Sequence, residues 1–318
     1  VTLADVRAAA ERVRGIALRT PLLPFREGSF IKPESLQPTG SFKIRGAYNA
    51  LAKMTAAERA RGVVTHSSGN HAQAIARAAR LLGIRAVVVM PSNAPGVKVA
   101  GVRLDGAEIV FVGPHNDERV ARAHEIADRD GMILVPSANH PDVICGQGTA
   151  GLEIVEQLGE LGIADPPVVL APIGLGGLAA GLAVTVKSLV PRASVFGVEP
   201  ALAADTRESL QRGERIAWPA ADTGRTIADG LRGESVSEIP FGLLQQYLDG
   251  VLVVEESEIV DAMRIAAREA RLVFEPSGAT SLAALLGHRH ELPDGPVVVL
   301  ASGGNVDPDR YVEWLSAP

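Results

Sequence analysis

Between residues 61 and 140 the chain alternates short apolar runs with helix-period segments, and this alternation constrains the fold more than any other feature. Val63-Val64 leads into a helical pattern that ends at Leu82 before Gly83. Residues 86–90, 108–112 and 132–135 are strand-like, and 97–104 and 117–130 between them are helix-like. Strands separated by helices pair in parallel, because a parallel neighbour needs a crossover long enough to hold a helix. The same signature returns downstream, where 168–171 precedes a helical 179–189, and again at 297–299. A chain of 318 residues is long enough for about two domains. The expected division is a small domain, 61–140, inserted in a larger one made of 1–60 and 141–318, with a ligand cleft between them.

Charge and composition exclude several kinds of function. The 31 basic and 37 acidic residues are mixed along the chain, giving a net charge of -6 and no basic stripe for nucleic acid. The most apolar stretch, 175–190, carries Lys187 and is too short to span a membrane. The start reads as a capped helix, with Thr2 and Asp5 as its capping pair, and not as a signal peptide. A cytoplasmic location is therefore expected. Cys145 is the single cysteine, so no internal disulfide forms, and its apolar context points to a buried inert thiol.

Four polar segments sit where strands or turns give way to helices. In Pro38-Thr39-Gly40-Ser41-Phe42-Lys43, Gly40 permits a tight turn and Ser41 suits an N-cap. Lys43 then stands beside an anion-binding helix terminus, where an amine either forms a Schiff base with an aldehyde whose phosphate the helix holds or is simply a solvated residue of an ordinary first helical turn. Ser67-Ser68-Gly69-Asn70-His71 follows a strand and opens a helix, a geometry that either binds an anion or simply caps the helix. Gly174-Leu175-Gly176-Gly177 either cradles a phosphate or allows close backbone packing. Ser302-Gly303-Gly304-Asn305 puts a hydroxyl at the carboxyl end of a strand, the ligand-binding end of open α/β sheets.

Taken together and in this order, the four segments resemble the serine/threonine dehydratase and serine racemase family of fold-type II pyridoxal-phosphate enzymes. Lys32-Pro33-Glu34, Gly146-Gln147-Gly148-Thr149, Gly197-Val198-Glu199-Pro200, Ile227-Ala228-Asp229-Gly230 and Glu275-Pro276-Ser277-Gly278 extend the resemblance over nearly the whole chain. It implies an α/β fold like that of the tryptophan synthase β chain, with two open twisted, mostly parallel sheets flanked by helices. It also implies a homodimer that uses pyridoxal 5'-phosphate on a small hydroxyamino acid. Lys43 would hold the cofactor and act as base at the substrate Cα. Phe42 would pack beside the ring, and Asn70 would bond its phenolic oxygen. Gly174, Leu175, Gly176 and Gly177 would hold the phosphate, and Ser302 would meet the ring nitrogen. Ser67, Ser68, Gly69, Asn70 and His71 would grip the substrate carboxylate, with Ser68 also matching the second acid/base of racemases.

A neutral hydroxyl at the ring nitrogen makes a milder electron sink than a carboxylate would, which favours β-elimination of L-threonine or L-serine to a 2-oxoacid and ammonia. Serine racemisation and 3-hydroxyaspartate dehydration are the alternatives. Leu175 stands where the family has another glycine, which is tolerable if its φ is negative. Pro136-Ser137-Ala138-Asn139-His140-Pro141 departs from the family pattern and leaves the substrate open. By the same resemblance, Glu199, the Ala203 carbonyl and Asp205 would bind Mg2+ or Ca2+ through oxygen ligands. The alternative for these two acids is a strand-end glutamate and a helix-start aspartate. The chain as printed stops soon after the Ser302 loop, so no feedback domain for isoleucine is expected. A nicotinamide enzyme built on Gly174 and Glu199 explains neither Lys43 nor Ser302, and a catalytically silent cofactor carrier is a further reading.

Overall fold

The structure, a computed structural model, describes residues 1–67, 69–113 and 116–316. Its strands form two sheets. The larger sheet holds β1 (Leu23–Pro24), β2 (Ser29–Pro33), β7 (Val168–Pro172), β8 (Ser194–Pro200), β9 (Gly250–Val254) and β10 (Val297–Ala301), in the order β1-β2-β10-β7-β8-β9. The smaller sheet holds β3 (Val63–His66), β4 (Ala86–Pro91), β5 (Glu108–Val112) and β6 (Ile133–Leu134), in the order β5-β4-β3-β6. Every pairing is parallel except β1 with β2. Four of the expected strand and helix segments in the smaller layer appear within a residue of their expected ends. The last strand is shorter than 132–135, because only Ile133 and Leu134 enter the ladder with β3.

Alternation along the central strands feeds two cores. Val168 and Leu170 of β7, with Val297, Val299 and Ala301 of β10, face the helix Pro276–His288 through Ala279, Leu282 and Ala283. Val169, Ala171, Val298 and Leu300 face the opposite side, where Leu178, Leu182 and Val186 of the helix Gly177–Leu189 cover them. With both faces buried, these strands are continuously apolar, as parallel strands between helix layers must be. At the start of the chain, Thr2 and Asp5 form the expected capping box of the helix Leu3–Val13. Cys145 is buried, and burial pushes its thiol up to about 11. Among the described residues no helix is long and apolar enough to cross a membrane.

Parallel strands deliver their carboxyl ends to one edge of each sheet, and the polar segments follow those ends. β3 runs into the turn before the helix Asn70–Leu82, which Gly83 stops at φ 66°. β7 runs into the glycine loop, and β10 ends immediately before Ser302.

Candidate active site

The lysine turn is stitched to the end of β10. Ser41 bridges Gly303, the Phe42 N–H donates to the Ser302 carbonyl at 3.0 Å, and the Gly304 N–H donates to Gly40 O at 2.9 Å. This long-range pairing overrides the local capping chemistry expected of Ser41. The helix Lys43–Ala52 starts after Phe42, which caps it without a side-chain bond, and the buried Ser41 hydroxyl has no partner. Gly40 has the left-handed φ of 68° that the turn requires.

Lys43 extends into the cleft, with Nζ 3.4 Å from Ser137 O and 4.9 Å from the centre of the Phe42 ring. Burial lowers its pKa to about 8, against the opposing charge of Glu275. The free base, which is the nucleophilic form, is therefore far more populated near neutrality than in an ordinary lysine, although the protonated form still predominates.

From Lys43 a closed circuit of short contacts defines the cleft. Next to Ser137, Ala138 lies 3.1 Å from where a Gly177 Cβ would stand. A Cβ on Gly174 would be 3.0 Å from Gly230 O, and the Gly230 N–H donates to Ser277 Oγ at 2.9 Å. Ser302 Oγ then reaches Ser277 O at 3.4 Å, and the Ser302 carbonyl returns the circuit to Phe42. Lys43, Phe42, Ser302 and the glycine loop are thus brought together from sites far apart in sequence.

The glycine loop has the form of an anion cradle. Gly176, at φ 89°, caps the helix Gly177–Leu189, and Ala180 is the first residue whose N–H finds an intrahelical carbonyl, Gly176 O at 2.9 Å. The N–H groups of the preceding turn are left for a ligand. Leu175 is not among the residues with positive φ, and its side chain turns toward Gly233. These residues fit the phosphate of pyridoxal phosphate, and Ser302 offers a neutral hydroxyl at the far side of the cleft.

Asn70 opens the helix Asn70–Leu82 with its amide held at both ends. Its Nδ2 donates to Glu275 Oε1, and its Oδ1 accepts from Asn305 Nδ2 at 2.9 Å. Asn305 Nδ2 also reaches Thr39 O at 2.8 Å, and so joins the lysine turn to Asn70.

In the adjoining turn some of the expected donors are already engaged. The Ser67 N–H continues the β3 ladder to Val89 O, and the Gly69 N–H donates to Ser67 Oγ at 3.1 Å. The open donors are the first-turn N–H groups of Asn70 and His71. The His71 ring is buried with Nε2 3.1 Å from Val135 O, and burial with the Lys43 charge lowers its pKa to about 3, so the ring is neutral. Ser68 lies outside the described residues.

Three groups that sequence reasoning left without a role stand in this cleft. Lys98 of the helix Gly96–Leu104 pairs with Asp229 at 2.6 Å and with Glu275 at 3.1 Å. Glu275 is buried at the N-cap of the helix Pro276–His288. The available signals were a lysine within the apolar run Gly96-Val97-Lys98-Val99-Ala100 and an acid before Pro276.

The proposed cation residues lie at the end of β8. Glu199 accepts the N–H groups of Thr206 (3.0 Å) and Arg207 (2.9 Å), and so caps the helix Asp205–Arg212. Asp205 Oδ2 accepts the Val236 N–H at 2.7 Å. Burial, reinforced for Glu199 by the Asp205 charge, raises the two carboxyls to about 8 and about 7. Among the described residues no three His, Cys, Asp or Glu side chains cluster as metal ligands.

Residues 13–303 match the model of a family described as pyridoxal-phosphate dependent enzyme. An L-threo-3-hydroxyaspartate ammonia-lyase of Pseudomonas sp. is 40% identical over 98% of this chain and 97% of its own length. A serine racemase of Schizosaccharomyces pombe is 37% identical over 99% and 97%. Among solved structures, the T.th. threonine deaminase superposes with a TM-score of 0.91 at 42% identity, covering 96% of this chain and 99% of its own. The relatives carry names of different reactions, while the family model spans most of the chain, and the chain belongs to the pyridoxal-phosphate-dependent enzyme family.

Proposed function

We propose that this chain catalyses the β-elimination of L-threonine and L-serine to a 2-oxoacid and ammonia. When bound, pyridoxal phosphate supplies an aldehyde that links to amines and a ring that disperses negative charge at Cα. The first-turn N–H groups of the helix Gly177–Leu189 would hold its phosphate, and the remaining Asn70 amide N–H would be the donor to its phenolic oxygen. The free Lys43 amine would then act as the base that takes the proton from the substrate Cα. The N–H groups of Asn70 and His71 would orient the substrate carboxylate, and the β-hydroxyl would leave as water with the proton that Lys43 has taken from Cα. The enamine released takes up water to give the 2-oxoacid and ammonia.

The observation that carries this reading is the pairing of a Lys43 amine that loses its proton more readily than an ordinary lysine with the neutral Ser302 hydroxyl. That combination provides a base without a strong electron sink, and it favours loss of a leaving group over prolonged carbanion chemistry. Similarity to the T.th. threonine deaminase supports the same choice.

A second reading, elimination from 3-hydroxyaspartate, is favoured by the similarity to the L-threo-3-hydroxyaspartate ammonia-lyase of Pseudomonas sp..

Purified protein supplied with cofactor and assayed on L-threonine, L-serine and L-threo-3-hydroxyaspartate, with keto-acid and chiral amino-acid readouts, tests both readings. Keto acid from threonine and serine in excess of D-serine is expected. Turnover confined to 3-hydroxyaspartate selects the second reading, and D-serine without keto acid overturns both.

A further inference from the structure

We propose that Lys98 is a positioning residue that keeps Glu275 engaged, so that Glu275 orients the Asn70 amide and leaves Lys43 free to lose its proton. This rests on the reading of Lys43 as the cofactor lysine.

Lys98 belongs to the layer of the four-stranded sheet and is 3% exposed, yet both its charge partners come from the six-stranded layer. Asp229 Oδ2 accepts its Nζ at 2.6 Å. Glu275 Oε2 lies 3.1 Å away and completes the ion pair. The stem of Lys98 lies against the substrate turn, where a Cβ on Gly69 would collide with Cδ and stand 3.2 Å from Nζ. The other Glu275 oxygen takes an Asn70 N–H, and Asn305 holds the carbonyl end of that amide. With both ends fixed the amide cannot flip, and its remaining N–H is the one available to a cofactor oxygen.

Charge gives the arrangement its direction. Glu275 and Asp229 are two acids and Lys98 one base, and the nearby Lys43 also feels the charge of Glu275. Without Lys98, the Glu275 carboxylate would be buried with Lys43 as its remaining electrostatic partner. It would then hold the Lys43 amine protonated, or take up a proton itself and release Asn70.

The test uses Lys98→Met in the full chain. Relative to parent, kcat/KM should fall about 100-fold and cofactor affinity about tenfold, as expected when one member of a buried charge pair is left alone. In cofactor-free protein, hydrogen exchange at the amides of residues 69–73 should accelerate about tenfold, with the helix Gly177–Leu189 unchanged. The double variant Lys98→Met/Glu275→Gln removes both charges and keeps an acceptor for Asn70. It should recover at least tenfold of the lost kcat/KM, and it should fold even if the single variant does not.

Lys98→Met within twofold of parent in all three readouts would overturn the proposal. So would a double variant no better than the single, or one that also fails to fold. If the parent itself takes up no pyridoxal phosphate, the functional reading fails instead, and the exchange data on cofactor-free protein still decide the role of Lys98.

Discussion

Two buried ionic clusters flank Lys43, and they differ in what they leave open. The first lies behind its helix. Arg45 donates to Glu34 at 2.7 and 2.8 Å, to Glu153 at 2.6 and 2.9 Å, and to Thr149 and Leu18 O at 3.1 Å. Lys32 donates to Thr20 O, Glu153 and Gln157 at 2.6 to 2.8 Å. Two bases meet two acids. Burial alone would raise Glu34, but the Arg45 charge and hydrogen bonds, with Lys32, hold it below its ordinary value. The second cluster, Lys98 with Asp229 and Glu275, faces the cleft and is one cation short whenever Lys43 is neutral, and burial keeps the Glu275 carboxyl raised. The closed cluster fixes where the helix Lys43–Ala52 sits, and the open one has charge left over to act on a neighbouring amine.

The largest way to break this contrast is to remove the amine. Lys43→Ala should reduce turnover by on the order of 10⁴-fold or more and abolish the visible absorption of the lysine-bound cofactor, while phosphate contacts keep some free cofactor. Spectra and keto-acid assays check this, and substantial turnover by the variant would contradict it.

Arg45→Met acts on the closed cluster and should act on stability. Leaving Glu34 without its guanidinium partner in the interior, and Glu153 with Lys32 alone, should cost about 3–5 kcal/mol by denaturant unfolding, with kcat per folded molecule unchanged. A fall in kcat with intact stability would give the two clusters the same role.

The state of Lys43 in cofactor-free protein gives a finer comparison. Because its pKa is lowered to about 8 and not held near 10.5, the neutral fraction grows through a window around pH 8. The rate of cofactor capture should rise with pH, reach half its maximum near pH 8 and level off above it. A rise continuing toward pH 10 would place the amine in an ordinary environment.

The segments legible in the sequence are those whose signal is local. Strand and helix alternation from 63 to 134 follows from apolar period, and Gly83 and the Thr2–Asp5 pair are terminal signals read within one turn. The Lys43, Gly176 and Ser302 segments are recognisable because each carries its chemistry within a few residues. Ser41 reads locally as a cap, but a bridge to Gly303, far along the chain, decides its backbone. The Lys98 cluster is hidden from the sequence for the same reason, since it exists only where residues 98, 229 and 275 converge. Glu199 and Asp205 remain two-sided because a helix cap and an oxygen ligand for a cation call for the same side chain.

The smallest expected effect concerns those two acids. If Glu199, the Ala203 carbonyl and Asp205 bind Mg2+ or Ca2+, chelation should lower the melting temperature by about 1–2 °C for each kcal/mol of binding lost, and the metal should restore it. Asp205→Ala should remove the response. An unchanged melting temperature on chelation would leave Glu199 as the helix cap alone.

The central claim is that one cleft holds a part-buried and a buried lysine in opposite states. Lys43 is held below its ordinary value by burial and is available as a nucleophile. Lys98 is held above it, because Glu275 and Asp229 outweigh the cost of burial. Borohydride reduction of the cofactor-loaded protein, followed by peptide mapping, tests this most directly. The account predicts a pyridoxyl group on Lys43 with Lys98 unmodified, and a label on Lys98 would contradict it.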